Sequence, residues 1–289
     1  MKRTQSFGRI ATLAWLALGM ATLLCAPPVA AADKATLEIG LVPNVSARTL
    51  LAAYQPMRAF LEQQLGQPVQ LFTAPDFKTF YQRTARAEYD VILTPAHFAR
   101  LAQTEAGYVP LATYRRELSA LLIVARDNPI KDISDLRGKS VAVVDPLAIV
   151  TMRGLQWFKE HALQPNIDFT VRISAPHNTA VHAVMHGDTE AAIVGSGPYR
   201  IMPSELRAGT RILAILGSVP NATFLASPKL PAGAAERIRA ALLAFADSSE
   251  GRKFNADYGY GGMLAVDPEN LSAMDGYAAE AKKRLEAAN

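Results

Sequence analysis

Residues fit to hold a small ligand recur just after short apolar runs in this chain. Asn44 and Ser46 follow residues 37–42, Thr94 and His97 follow residues 90–93, and Ser196 follows residues 191–194 between two glycines. His177 and Asn178 stand where a helical pattern begins after residues 169–173, and Val150 and Thr151 where another begins after Asp145-Pro146. A strand that ends in a turn and opens a helix leaves N–H groups without intrahelical partners. They form a cradle for an anion or a small polar ligand. Tyr114 adds a ring that either stacks on the ligand or fills the interior. The chemistry such a set supports is capture.

Each of these residues also has a plainer reading. Thr151 serves equally well as the N-cap of its helix, and turn chemistry alone accounts for Asn44 and Ser46. Thr94, His97, His177 and Asn178 divide between ligand contact and a structural role. Ser196 reads more simply as a turn residue than as a point of close backbone approach. His182 and His186 share a helix face at the spacing of a zinc or copper pair, with His177 close in sequence. No carboxylate or thiolate is spaced to complete that set, so two solvent-facing histidines and no metal ligands are expected. Gly195-Ser196-Gly197 lacks the spacing of a Gly-x-Ser-x-Gly nucleophile elbow. No glycine-rich phosphate loop with a lysine is present, and Gly259, Gly261 and Gly262 follow a helical stretch. No catalytic residue, no cofactor and no enzymatic activity are therefore expected.

The elements that must position these side chains are clearest in residues 135–154. Leu136 and Gly138-Lys139 close a turn, residues 141–144 form an apolar run suited to a buried strand, and Asp145-Pro146 stops it. A helix carrying Met152, Leu155, Trp157 and Phe158 then begins near Val150 or Thr151. The chain before this stretch follows the same grammar, with strands at 37–42, 69–73 and 90–93 and extended runs at 111–114 and 118–125. Leu50, Tyr54, Met57, Leu61 and Leu65 recur at helical spacing, with Pro56 forcing a kink or late start and Gly66 the stop. Asp76 is a natural N-cap. Residues 169–173 and 191–194 are further strands, residues 211–216 read as a strand returning toward the first block, and the tail is helical. This alternation predicts an α/β protein with mainly parallel sheets and ligands at the strands' C-terminal ends. Two similar blocks, the second inserted in the first, predict two lobes crossed twice, near residues 114–119 and 208–216. The expected lobes are residues 33–116 with 213–289, and residues 117–212, with the ligand in the cleft between them.

Residues 1–32 read as a secretory signal peptide. They carry Lys2, Arg3 and Arg9, an apolar run over residues 10–24, and a small-residue region ending near Ala32. Cys25 follows Leu24, where lipid attachment needs a small residue, so no lipid anchor is expected. Cleavage near Ala32 removes the only cysteine and leaves 27 basic against 26 acidic residues. The mature chain, exported to the periplasm, then has neither a disulfide nor the basic surface that nucleic-acid binding requires.

The order of features resembles the extracytoplasmic solute-binding proteins of ABC importers, in their phosphate/phosphite/phosphonate-binding branch. The resemblance rests on Gly40-Leu41-Val42-Pro43, Tyr54-Gln55-Pro56, residues 90–95, residues 133–139, Asp145-Pro146, and Pro176-His177-Asn178 followed by Val184, Gly187 and Ala191-Ala192. It covers residues 37–265. It implies a type II periplasmic-binding-protein fold with two hinge crossings, lobe closure on a small oxyanion or related small organic anion, a monomer, and an inner-membrane ABC permease as partner. A ligand-sensing module that feeds a membrane histidine kinase is the alternative on the same fold. Two departures concern the ligand. Phosphonate binders of this branch carry a Ser-Thr-Ser-type run after Asp-Pro, whereas residues 147–151 here read Leu-Ala-Ile-Val-Thr. Where they often place a Glu after the His, this chain has Asn178. The site is expected to be more apolar and less charged than theirs.

Overall fold

The computed structural model describes residues 36–287, so the expected signal peptide and Cys25 lie outside the described residues. The chain begins with β1 (Leu37–Leu41), α1 (Ala47–Ala53), α2 (Gln55–Leu65), β2 (Val69–Phe72), α3 (Phe77–Ala85), β3 (Val91–Thr94), α4 (Ala96–Ala106) and β4 (Val109–Tyr114). It continues through β5 (Leu118–Ala125), β6 (Ser140–Val143), α5 (Ile149–Glu160), β7 (Thr170–Ile173), α6 (His177–His186), β8 (Ala191–Gly195), α7 (Ser196–Ile201), α8 (Ser204–Ala208) and β9 (Thr210–Val219). It closes with β10 (Thr223–Ala226), α9 (Ala234–Asp247), α10 (Ser249–Tyr258), β11 (Met263–Ala265) and α11 (Asp275–Ala287).

The strands form two sheets, ordered β11-β4-β10-β3-β1-β2 and β7-β6-β8-β5-β9. Both are mixed rather than mainly parallel. β1 pairs parallel with β2 and β3, and β6 pairs parallel with β7 and β8, where helices connect consecutive strands. β10 in the first sheet and β5 in the second run antiparallel to their neighbours, because these strands enter each sheet directly from the other one. The crossings are residues 115–117 and 220–222. The second falls later than the expected 208–216, and residues 213–219 belong to the second sheet. β9 pairs with β5 from Ala125–Thr210 to Leu118–Val219, burying Leu216 and Val219 while Ile212 and Ile215 stay exposed.

Local chemistry accounts for the boundaries. Gly66 ends α2 in the left-handed conformation (φ 61°), where a side chain would be strained. Pro56 gives a late start: α1 stops at Ala53 and α2 begins at Gln55 with the proline in its first turn. Asp76 caps α3 by accepting from Thr79 N–H at 2.6 Å. Asp132 caps a short 3₁₀ turn over Ile133–Leu136, after which Gly138 (φ 73°) leads the chain into β6. Every residue of β3 and of β8 is buried, as continuous apolar strands covered on both faces must be.

Candidate ligand-binding site

The C-terminal ends of strands from both sheets converge on a cavity of about 40 Å³. On this measure one water needs roughly 10–15 Å³, so the space holds about three. Val42 after β1, Pro95 after β3, Ile149 and Val150 after β6, His177 after β7 and Gly197 after β8 all line it. Asn221 and Ala222 of the second crossing and Tyr114 beside the first one line it as well. The remaining wall is largely apolar, with Leu41, Leu50, Phe77 and Leu93, and no Lys, Arg, Asp or Glu lines it among the described residues.

α5 points its N-terminus at this space. Its N-cap is Ala148, with no side-chain cap, and its own ladder begins with the Met152 N–H donating to Ala148 O at 3.1 Å. The N–H groups of Ile149, Val150 and Thr151 therefore have no intrahelical partner. Thr151 is not the N-cap that its sequence position suggests. The helix starts two residues earlier because the Asp145 carboxylate accepts from Leu147 N–H (2.7 Å) and the Asp145 carbonyl accepts from Ala148 N–H (3.0 Å), which bends the chain at the proline. Thr151 instead lies buried in the first turn, its hydroxyl unpartnered.

Of the other expected residues, Asn44, Tyr114, Val150 and His177 line the cavity. Ser46 and Asn178 do not line it and bond each other instead, the Asn178 side chain accepting from Ser46 N–H at 3.2 Å, and His177 N–H donates to Asn44 O at 3.3 Å. Thr94 and His97 are fully buried behind the lining, and His97 bonds to Leu147 O. Ser196 is turned away: its hydroxyl accepts from Ser119 N–H at 3.0 Å and fixes α7 to β5, while the next residue, Gly197, faces the cavity.

Both buried histidines are neutral near pH 7. Burial pulls His177 down to about 3, and it pulls His97 down to about 4 against the opposing bond to Leu147. Asn44 Oδ1, His177 Nδ1, His97 Nδ1 and the hydroxyls of Thr94 and Thr151 are shut off from solvent without a hydrogen-bond partner. Buried polar groups are normally paired; of these unpaired atoms, those of Asn44 and His177 belong to residues that line the cavity.

Tyr54 and Tyr260 complete the floor and were not singled out from the sequence. The Tyr114 hydroxyl donates to Tyr54 Oη (3.1 Å), which bonds Tyr260 Oη (3.3 Å), and the Tyr114 and Tyr260 rings stack at 3.8 Å. Burial holds all three phenols well above their ordinary range, so all are protonated. Three hydroxyl protons serve two mutual bonds, which leaves one not used among the three. Asn221, also missed, donates from Nδ2 to Arg116 O at 2.7 Å and so ties the two crossings together. A polar residue right after a strand and Pro220 is the one sequence signal that could have found it.

His182 and His186 are exposed on α6 with ring centroids 5.8 Å apart. No group of three or more His, Cys, Asp or Glu that could hold a metal is found among the described residues. No described helix is long and apolar enough to cross a membrane.

A family model described as "ABC transporter, phosphonate, periplasmic substrate-binding protein" matches residues 39–271. The phosphonates-binding periplasmic protein of Escherichia coli (strain K12) is 26% identical over 198 residues, which span 63% of this chain and 57% of that protein. A binding protein component of an ABC phosphonate transporter from Pseudomonas aeruginosa has a TM-score of 0.72 at 16% identity, over 88% of this chain and 99% of that one. A Prochlorococcus marinus protein solved in complex with methylphosphonate has a TM-score of 0.74 at 11% identity, over 86% and 98%. At these identities the two structures speak for the fold, which is the type II periplasmic-binding-protein fold. By the family model, matched across most of its length, this chain belongs to the periplasmic phosphonate substrate-binding proteins of ABC transporters.

Proposed function

We propose that the protein is the extracytoplasmic, periplasmic solute-binding component of an ABC importer, and that it captures a compact phosphonate-type oxyanion and presents it to a membrane permease. The observation that carries this reading is the cavity itself. Uncapped helix N–H groups and unpartnered neutral polar atoms meet in a partly enclosed, otherwise largely apolar space. The N–H groups of Ile149, Val150 and Thr151 and one tyrosine hydroxyl take the oxyanion's oxygens. His177 and Asn44, joined by the bond from His177 N–H to Asn44 O, reach it from one wall, and Leu41, Leu50 and Phe77 surround a small substituent. An aminoalkyl arm would enter a wall with no carboxylate to receive it. The names of the Escherichia coli and Prochlorococcus marinus proteins support the same ligand class.

The lobes of this reading are residues 36–116 with 220–287, and residues 117–219. They rotate about the crossings at 115–117 and 220–222. A ligand that touches both sides at once binds the closed arrangement better than the open one and shifts the population toward it. Binding, without chemistry on the ligand, is the whole task.

A thermal-shift series on residues 33–289 tests the proposal with phosphate, phosphite, methylphosphonate, 2-aminoethylphosphonate, methanesulfonate and malate. A ligand at one hundred times its Kd stabilises by about 2.7 kcal/mol, a shift of a few degrees. Phosphite or methylphosphonate should raise the melting temperature, and 2-aminoethylphosphonate should do so less. Shifts with malate alone, or with none of these, would overturn it.

A further inference from the structure

We infer that the cavity selects its oxyanion in the singly charged form, whose remaining P–O–H hydrogen is donated to the Asn44–His177 wall, and that it rejects the doubly charged form. This rests on the phosphonate reading above and adds the ionisation state that the site accepts.

The first support is the supply of positive charge. No cationic side chain lines the cavity. Arg115 and Arg116, the cations nearest the first crossing, are exposed and pack against Gly262 and Gly261. The helix starts supply about half a charge each. Of these, α5 is unencumbered, while His177 N–H on α6 is already spent on Asn44 O.

Two acids adjoin lining residues in sequence: Asp76, exposed, immediately precedes Phe77, and Asp145, half-buried, lies three residues before Ala148. The Asp145 carboxyl is held above its ordinary range by burial, with a further push from the Asp76 charge. The other titratable groups around the space are His97, His177 and the phenols of Tyr54, Tyr114 and Tyr260, all neutral near pH 7, and Arg284, whose guanidinium donates to Pro146 O at 2.6 Å outside the lining. The α5 start offsets part of one negative charge, and a second would find no cationic side chain in the lining.

The second support is the supply of acceptors. The Asn44 side chain and the neutral His177 ring each carry an acceptor atom as well as a donor, whichever way the amide or the tautomer is assigned. Asn44 Oδ1 and His177 Nδ1 are buried with no partner in the chain. A doubly charged oxyanion offers acceptors only, so both residues would have to present donors to it, His177 as the Nδ1–H tautomer and Asn44 with its amide turned. The singly charged form brings one hydrogen to give. With the free tyrosine hydroxyl and the α5 N–H groups donating to the remaining oxygens, that hydrogen satisfies one of the two, and the other residue presents its donor to the ligand.

The test is the dissociation constant for methylphosphonate from pH 5.5 to pH 9 by calorimetry, alongside a ³¹P titration of the free ligand in the same buffers. Below the ligand's second ionisation the Kd should be flat. Above it the Kd should rise about tenfold per pH unit, following the fraction of singly charged ligand. Methanesulfonate, a permanent single anion without the hydrogen, should bind at least tenfold more weakly than methylphosphonate at pH 6. A methylphosphonate Kd that stays constant or falls through the second ionisation would overturn the inference and leave the phosphonate reading standing. Methanesulfonate binding as tightly as methylphosphonate would overturn the hydrogen-donor assignment. Absence of methylphosphonate binding at every pH would remove the phosphonate reading itself.

Discussion

His97 Nε2 lies 2.9 Å from the carbonyl oxygen of Leu147, a residue 50 positions later that leads into the second sheet's helix α5. A carbonyl only accepts, so the imidazole carries its hydrogen on Nε2 and leaves Nδ1 bare. The first turn of α4 is thereby bonded to the loop that aims α5 at the cavity. His97→Ala removes the donor, strands a buried carbonyl and opens a void. Urea unfolding should show a loss of about 2 kcal/mol or more. His97→Gln, which can present an amide donor, should recover part of it; equal losses would reduce the contact to packing.

The same burial makes stability depend on pH. His97 and His177 have folded values of about 4 and about 3 against an unfolded value near 6.5. Between these limits the unfolded chain binds more protons, so stability rises with pH. It is fully present above about pH 6.5 and falls on acidification toward pH 4 and below, by up to about 1.4 kcal/mol per pH unit per histidine. Urea midpoints at pH 7, 5.5 and 4.5 should fall more steeply for the wild type than for His177→Gln. Parallel curves would mean that His177 is not buried in its neutral form.

Removing the middle hydroxyl of the tyrosine chain should cost more than removing an end. Tyr54→Phe breaks the bonds to both Tyr114 and Tyr260, leaving two buried hydroxyls to re-pair, whereas Tyr260→Phe breaks one. The expected losses are about 2 and about 1 kcal/mol. The double variant should fall short of their sum, because the two residues share a bond. Additive losses would show that the hydroxyls act independently.

Asn221 binds the two crossings to each other through Nδ2 to Arg116 O, and within its own crossing its Oδ1 accepts from Ala222 N–H, both at 2.7 Å. In Asn221→Ala both bonds are lost. Hydrogen exchange at residues 115–117 and 220–222 should accelerate, while exchange within β1 and β6 changes little. Uniform acceleration across the chain would indicate a global loss of stability instead.

Helix α5 carries a glycine, Gly154, where its packing leaves no room. A methyl group there would stand 2.9 Å from two atoms of Ile193 and 3.2 Å from Leu216. Gly154→Ala gains about 1 kcal/mol of helix propensity, yet overpacking against a buried, χ1-restricted isoleucine costs about 1–3. A net loss is expected in thermal unfolding, and a gain would show that β8 yields.

The sequence alone determined the elements and their edges. Unbroken apolar runs such as residues 91–93 and 191–194 can only be covered strands. Asp76, Gly66 and Pro56 act within a few residues of themselves, so their effects were readable at that range. The strand-end positions of Asn44, Val150 and His177 followed from the same local grammar, since strand ends in an open α/β sheet meet at one edge. Tertiary structure decided what depends on partners distant in the chain. β9 was assigned to the first block because its composition suits either sheet; only pairing with β5 fixes its place. Thr151 does not cap the helix because the turn at Asp145-Pro146 sets the helix start. Tyr54 and Tyr260, 206 residues apart, reveal nothing singly. Their value to the site is a shared hydrogen-bond count, and that exists only once the fold has brought their rings together.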